Sequence, residues 1–320
     1  MPGAHPEEVM IHAGTQSGLI QLENVKVSYG AFEALKGVTV AMEGGAVGLL
    51  GPNGAGKSTL IKAILGLMPL TSGRGTLLGR DISRAGLEIR KRVGYSPEHD
   101  CHIPGMNGFE YVSYCGRMVG MPVKDARRRA HEVLEYVGLG EARYRPLDGY
   151  STGMRQRAKI AQALVHDPDL LILDEPTNGF DPKGREEVLD LIHDVSHNKD
   201  IHLILSSHLL RDVEKTCDHV ILLKDGALVR SGLISDLKSS DEKVFTIEVR
   251  GPKEEFTAAA HKAGWRYESK NGRTAGRLVV PAEVDTTAIF KLARKVGLQL
   301  RMLVPAEESL EELFLKSLED

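Results

Sequence analysis

Long apolar runs are missing from this 320-residue sequence. The continuous ones are short pieces such as Leu170–Leu173 and Val220–Leu223, far below the roughly 18–20 residues that cross a bilayer as a helix. Residues 1–18 carry acidic and histidine side chains but no apolar h-region, so they read as a loose tail and not as a secretory signal. Cysteine is scarce. Cys101, Cys115 and Cys217 are too few and too scattered for a disulfide framework, which suits a reducing cytosol. An excess of one charge is absent as well: 41 Lys and Arg stand against 44 Asp and Glu, a formal net charge of −3. That balance argues against a protein that coats a polyanion along its whole length. There is no internal repeat, low-complexity tract or heptad run. What is present is a 42% hydrophobic composition and a length of roughly two domains of about 150 residues, enough for a sizeable core. The expectation is a soluble cytosolic globular protein whose membrane role, if any, comes through a partner.

Apolar residues at Ile20, Leu22, Val25 and Val27 slip by one position between Leu22 and Val25, which reads as two strands or as one strand with a bulge. Val38–Val40 and Val47–Leu50 read as further strands. A helix follows from Thr59 to about Leu67, with Leu60, Ile61, Ile64 and Leu65 as its stripe and Gly66 as its stop. Asp125 to Val137 forms a second helix whose face is Ala126, Ala130, Val133, Leu134 and Val137, with Arg127, Arg128 and Arg129 read as a solvated surface. Leu170–Leu173 and Leu203–Ser206 have the bounded apolar pattern of strands buried on both faces of a parallel sheet. Strand and helix alternate to about residue 235, which makes the fold class α/β. A polar hinge at Ser239–Asp241 opens a second unit over residues 241–320. There Phe245, Ile247 and Val249 alternate with polar residues as a half-buried strand. A helix (about 253–263), strands near Trp265–Tyr267 and Leu278–Val280, a helix (about 286–296) and a strand at Leu298–Val304 complete a β-α-β-β-α-β, ferredoxin-like order. Ser309 and Glu312 form a capping box for a final helix.

The segment Gly51-Pro52-Asn53-Gly54-Ala55-Gly56-Lys57-Ser58-Thr59 fits the G-x-x-x-x-G-K-S pattern in full, between a strand and a helix. Its glycines let successive backbone N–H groups curl around phosphate oxygens, and the helix N-terminus adds a favourable dipole. Lys57 reaches the β- and γ-phosphates, and the Ser58 hydroxyl is a Mg²⁺ ligand. Asp174 and Glu175 end an apolar strand, where carboxylates lie beside the phosphate crevice of such sheets. Asp174 is expected to hold Mg²⁺ through its water shell and Glu175 to orient and polarise the attacking water. His99-Asp100-Cys101-His102 could suggest a metal, but neighbouring residues cannot all turn to one ion and no second ligand pair has zinc-finger spacing, so a polar loop is expected.

Further motifs follow in register: Arg92-Val-Gly-Tyr95-Ser-Pro97-Glu98, Tyr150-Ser151-Thr152-Gly153-Met154-Arg155-Gln156-Arg157, Asn178-Gly179-Phe180-Asp181 and Ser206-Ser207-His208. Together they resemble the Q-loop, signature, D-loop and H-loop of ABC-type ATPases, over about residues 20–237. The resemblance implies a cassette (residues 19–238) with a mostly parallel core sheet, an antiparallel β subdomain and a helical subdomain at about 99–157. It also implies two cassettes that clamp two ATP molecules head to tail. Ser151 and the Gly153 amide would then contact a γ-phosphate in trans, and His208 would contact the γ-phosphate and help hold the hydrolytic water. Asp181 would lie at the dimer interface, Tyr29 would stack on adenine, and Glu98 would bind Mg²⁺ or its water. Thr152 and Met154 depart from the family's Ser-Gly-Gly-Gln, and Glu98 stands where most members have Gln, a change of about one charge unit.

Glu98, the Met-Arg-Gln-Arg signature tail and Ser309-Leu-Glu-Glu-Leu-Phe314-Leu resemble one branch, the ATP-binding subunits of ABC-2-type exporters. That likeness implies ATP and Mg²⁺ as cofactors, a second ATP-binding subunit and polytopic permease subunits as partners, and no nucleic acid. The protein would sit at the inner face of the membrane through the permease. The stretch from Glu98 to Val119, with Ile103, Met106, Phe109, Tyr111 and Tyr114, would carry the permease-docking groove or serve as subdomain core. An importer ATPase with a ligand-sensing tail and a soluble ABC ATPase remain alternatives.

Overall fold

The computed structural model describes residues 18–199, 201–238, 242–269 and 275–306. The expected capping box at Ser309, the hinge at Ser239–Asp241 and the tail before Gly18 lie outside the described residues. In chain order come β1 (Ile20–Tyr29), β2 (Phe32–Met42), β3 (Ala46–Leu50), α1 (Lys57–Ile64), β4 (Ser72–Leu77), β5 (Arg80–Asp81), α2 (Gly86–Arg90) and β6 (Val93–Ser96). Helices α3 (Gly108–Met118), α4 (Val123–Tyr136) and α5 (Thr152–Leu164) follow, with two 3-10 turns between the last two. Then come β7 (Leu170–Asp174), α6 (Pro182–Asn198), β8 (His202–Ser207), α7 (Leu210–Thr216), β9 (His219–Lys224), β10 (Ala227–Leu233) and α8 (Ile234–Lys238).

The central sheet has the order β10-β9-β3-β8-β7-β6. Its five strands from β9 to β6 are parallel, and β10 is an antiparallel edge. Every residue of β3 and β7 is buried, as a sheet covered on both faces requires. Parallel register brings the ends of β3, β8, β7 and β6 to one edge, where ligands of open α/β sheets gather. A second, antiparallel sheet (β2-β1-β4-β5) lies beside it. The slip between Leu22 and Val25 is a bulge within one strand, with Asn24 at φ 49°. Helix α1 begins two residues earlier and ends sooner than the apolar stripe suggested. Gly56 turns the chain at φ 101°, so Lys57 and Ser58 are already helical, and Gly66 at φ 63° stops the helix before Leu67. On α4, Ala126, Ala130 and Leu134 are wholly buried while Arg127 and Arg128 are exposed.

Beyond residue 241 the order is β11 (Glu242–Arg250), α9 (Lys253–Lys262), β12 (Arg266–Ser269), β13 (Ala275–Pro281), α10 (Thr286–Lys295) and β14 (Gln299–Ala306). They form an antiparallel sheet in the order β12-β13-β11-β14 with its own core around Phe256, Ile247 and Leu278. This is the β-α-β-β-α-β arrangement read from the periodicity. Among the described residues, no helix is long and apolar enough to cross a membrane.

Candidate active site

The phosphate-type loop joins the buried end of β3 to α1, whose first residues offer free N–H groups. Asn53, Gly54, Ala55, Gly56, Lys57, Ser58 and Thr59 line a cleft of about 370 Å³ together with Tyr29, Glu98 and Glu175. Gly51 and Pro52 act from behind: Lys57 Nζ donates to the Gly51 carbonyl at 2.7 Å and to that of Pro52 at 3.4 Å. The same ammonium stands 3.1 Å from Glu175 Oε1. Glu175 Oε2 lies 2.8 Å from His208 Nδ1, so one carboxylate is held between a lysine and a histidine drawn from three strand ends. Lys57 and Glu175 are each 6% exposed, a charged pair that burial tolerates because each supplies the other's counter-charge. Glu175 adopts φ 48°, a left-handed conformation uncommon outside glycine, and backbone strain of this kind tends to gather at functional sites.

Asp174 ends β7 one residue earlier and is 3% exposed. Its Oδ1 is buried with no hydrogen-bond partner among the described residues. A buried carboxylate oxygen left unpaired next to a phosphate-type loop is the feature a hard cation or its water shell would satisfy, so the residues fit Mg²⁺. Glu98 enters the cleft from beyond β6, and its Oε1 accepts from Asn178 Nδ2 at 3.3 Å. Its backbone carbonyl accepts from Lys159 Nζ at 2.9 Å. Burial pushes the Lys159 pKa down, while Cys101, Asp100, Asp174 and Glu98 favour its charged form.

Ser151, Gly153 and Asp181 do not line this cleft. Ser151 caps α5 by accepting from the Met154 N–H at 3.3 Å, and Asp181 caps α6 by accepting from Gly184 at 3.2 Å. The two motifs are neighbours, since a Cβ on Gly153 would lie 3.5 Å from the Phe180 ring.

Sequence reasoning missed Phe32, which lines the cleft opposite Tyr29 in the β1–β2 pairing and is 65% exposed. An aromatic three residues beyond Tyr29 was the available signal. The segment after Glu98 divides. Phe109 and Tyr111 are buried in the core and Ile103 and Met106 pack against it, whereas Tyr114 and Met118 are exposed. A buried network also went unread. Asp212, wholly buried on α7, accepts from Thr177 Oγ1 at 2.5 Å and from Arg185 Nε at 2.6 Å. It ties the turn after Glu175 to α6 and α7. Asp212→Asn should lower stability by about 2–3 kcal/mol, because the two donors meet different carboxylate oxygens, one of which becomes an NH₂ group, and the charge facing Arg185 is lost. The midpoint of urea unfolding measures this, and an unchanged midpoint would contradict it.

The ABC transporter family pattern matches residues 35–178. An uncharacterized ABC transporter ATP-binding protein of Bacillus subtilis, YxlF, is 35% identical over 93% of this chain and 99% of its own length. The linearmycin resistance ATP-binding protein LnrL of the same organism is 33% identical over 93% of this chain and 97% of its own. Among solved structures, a dimeric ATP-binding cassette in a post-hydrolysis state, bound to ADP and Pi, has a TM-score of 0.60 at 26% identity, covering 67% of this chain and 98% of that one. With its phosphate-type loop, Glu175 and His208 brought to one sheet edge, this chain belongs to the ABC transporter ATP-binding proteins and is an ABC-type ATPase.

Proposed function

We propose that this protein is the ATP-hydrolysing subunit of an ABC-2-type exporter, working as a dimer at the inner face of the membrane beneath polytopic permease subunits. The observation that carries the reading is the likeness to a resistance protein, which spans 97% of that relative and so extends past the cassette. In this reading Gly51–Thr59 bind the phosphates, and Ser58, Asp174 and Glu98 hold Mg²⁺. The ion would neutralise phosphate charge when bound. Glu175 takes the proton of the attacking water, and His208, in contact with Glu175, helps fix that water beside the γ-phosphate. Tyr29, flanked by Phe32, stacks on the base.

Ser151, Gly153 and Asp181 serve the neighbouring subunit's nucleotide. Their position outside this chain's own cleft, at capped helix starts, supports that role. Tyr114 and Met118 on α3 supply the exposed apolar part of the permease contact. The test is to tag the protein in its native cell, solubilise membranes gently and identify what co-purifies. A stoichiometric polytopic membrane protein is expected. Ribosomal or DNA-bound partners without one would overturn the exporter reading. A small molecule that binds residues 241–320 and inhibits hydrolysis would replace it with an importer.

A further inference from the structure

Helix α5, which Ser151 caps, lies directly against β6: a Cβ on Gly94 would come within 2.1 Å of the Ala163 carbonyl. Two side chains one turn apart on α5 fasten that contact. Lys159 Nζ donates to the Glu98 carbonyl at 2.9 Å, and Gln162 Nε2 donates to the Tyr95 carbonyl at 2.8 Å. Lys159 is 4% exposed, so its ammonium is a buried charge. The carboxylate of Glu98 lies at the nucleotide cleft, near that of Glu175 and with Asp174 close by in sequence. Lys57 is already committed to Glu175. At position 98 the family that the sequence resembles mostly carries a neutral glutamine, and this chain carries a carboxylate.

We propose that Lys159 is a positioning residue matched to Glu98: its ammonium holds the Glu98 backbone at the cleft and offsets the negative charge that the Glu98 carboxylate adds where the phosphates bind. The exposed Glu98 carboxylate repels a triphosphate at that place, whereas the Lys159 ammonium, being buried, acts on the site with little screening. The contact also links the middle of the helix that Ser151 caps to a residue that lines the cleft. The proposal rests on the ATPase reading of that cleft.

The test is a double-mutant cycle of Lys159→Met and Glu98→Gln on the full chain. Binding of methylanthraniloyl-ATP is titrated in EDTA, and hydrolysis is measured at saturating Mg²⁺. K159M should weaken metal-free binding by about 5–10-fold, and E98Q should tighten it. The double variant should return to within about 2-fold of wild type. The Lys159 hydrogen bond goes to a backbone carbonyl that E98Q leaves in place, so a purely structural loss would not be rescued. Additive effects, with K159M weakening binding as much in the E98Q background as in the wild-type one, would overturn the proposal. Thermal melts follow folding. If K159M does not fold, E98Q alone decides, and metal-free affinity no tighter than wild type counts against the pairing. A wild-type protein that neither binds nor hydrolyses ATP would instead sink the ATPase reading itself.

Discussion

Glu175→Gln should bind ATP as well as the unaltered protein and lose turnover by about 10²-fold or more. The geometry separates the two effects. Glutamine has the shape of glutamate, so it can occupy the same buried position and still meet His208 Nδ1, now 2.8 Å from Oε2. What it cannot do is take a proton from water. The substitution also removes the carboxylate that stands 3.1 Å from the Lys57 ammonium, which leaves that cation fully available to phosphate. Affinity should therefore hold or rise while the chemical step fails. Equilibrium nucleotide binding and steady-state phosphate release, measured on the same preparation, check both halves. Near-wild-type hydrolysis in E175Q would remove Glu175 from the role of base.

Lys57→Ala should act through two different quantities. Nucleotide affinity should fall by about 10²-fold, because the loop loses the charge that offsets the β- and γ-phosphates. Stability without nucleotide should also fall, by about 3–5 kcal/mol, since Glu175 would remain buried with no cation beside it. A double variant, K57A with E175Q, should recover part of that stability, because the stranded charge is gone, yet bind nucleotide no better. Urea unfolding and an ATP titration distinguish the two. Unchanged affinity in K57A would exclude the lysine from phosphate binding.

Much of the site was legible because chemistry dictates the order of residues along short stretches. Glycines spaced around Lys57 and Ser58 let backbone amides curl around phosphate, and the apolar run Leu170–Leu173, bounded by polar residues, has the pattern of a covered strand that delivers Asp174 and Glu175 at its exit. The amphipathic face of α4 and the alternation of β11 were readable because helix and strand periods are local properties. The bulge at Asn24 was left open between one strand and two, since only pairing with β2 and β4 keeps the chain continuous there.

By itself, then, the sequence determined the phosphate loop, the paired carboxylates, the alternating α/β order and the β-α-β-β-α-β tail, all encoded within a few residues of each other. The tertiary structure alone decided which of these meet. His208 lies 33 positions beyond Glu175 and reaches it because β7 and β8 run parallel and end together. Lys159 and Asp212 carry no local pattern that marks them. Each has its importance from a partner 61 or 35 positions away, brought into contact by the packing of helices against the sheet. Contacts between distant segments depend on how buried faces stack, and that follows from the packing of the whole chain.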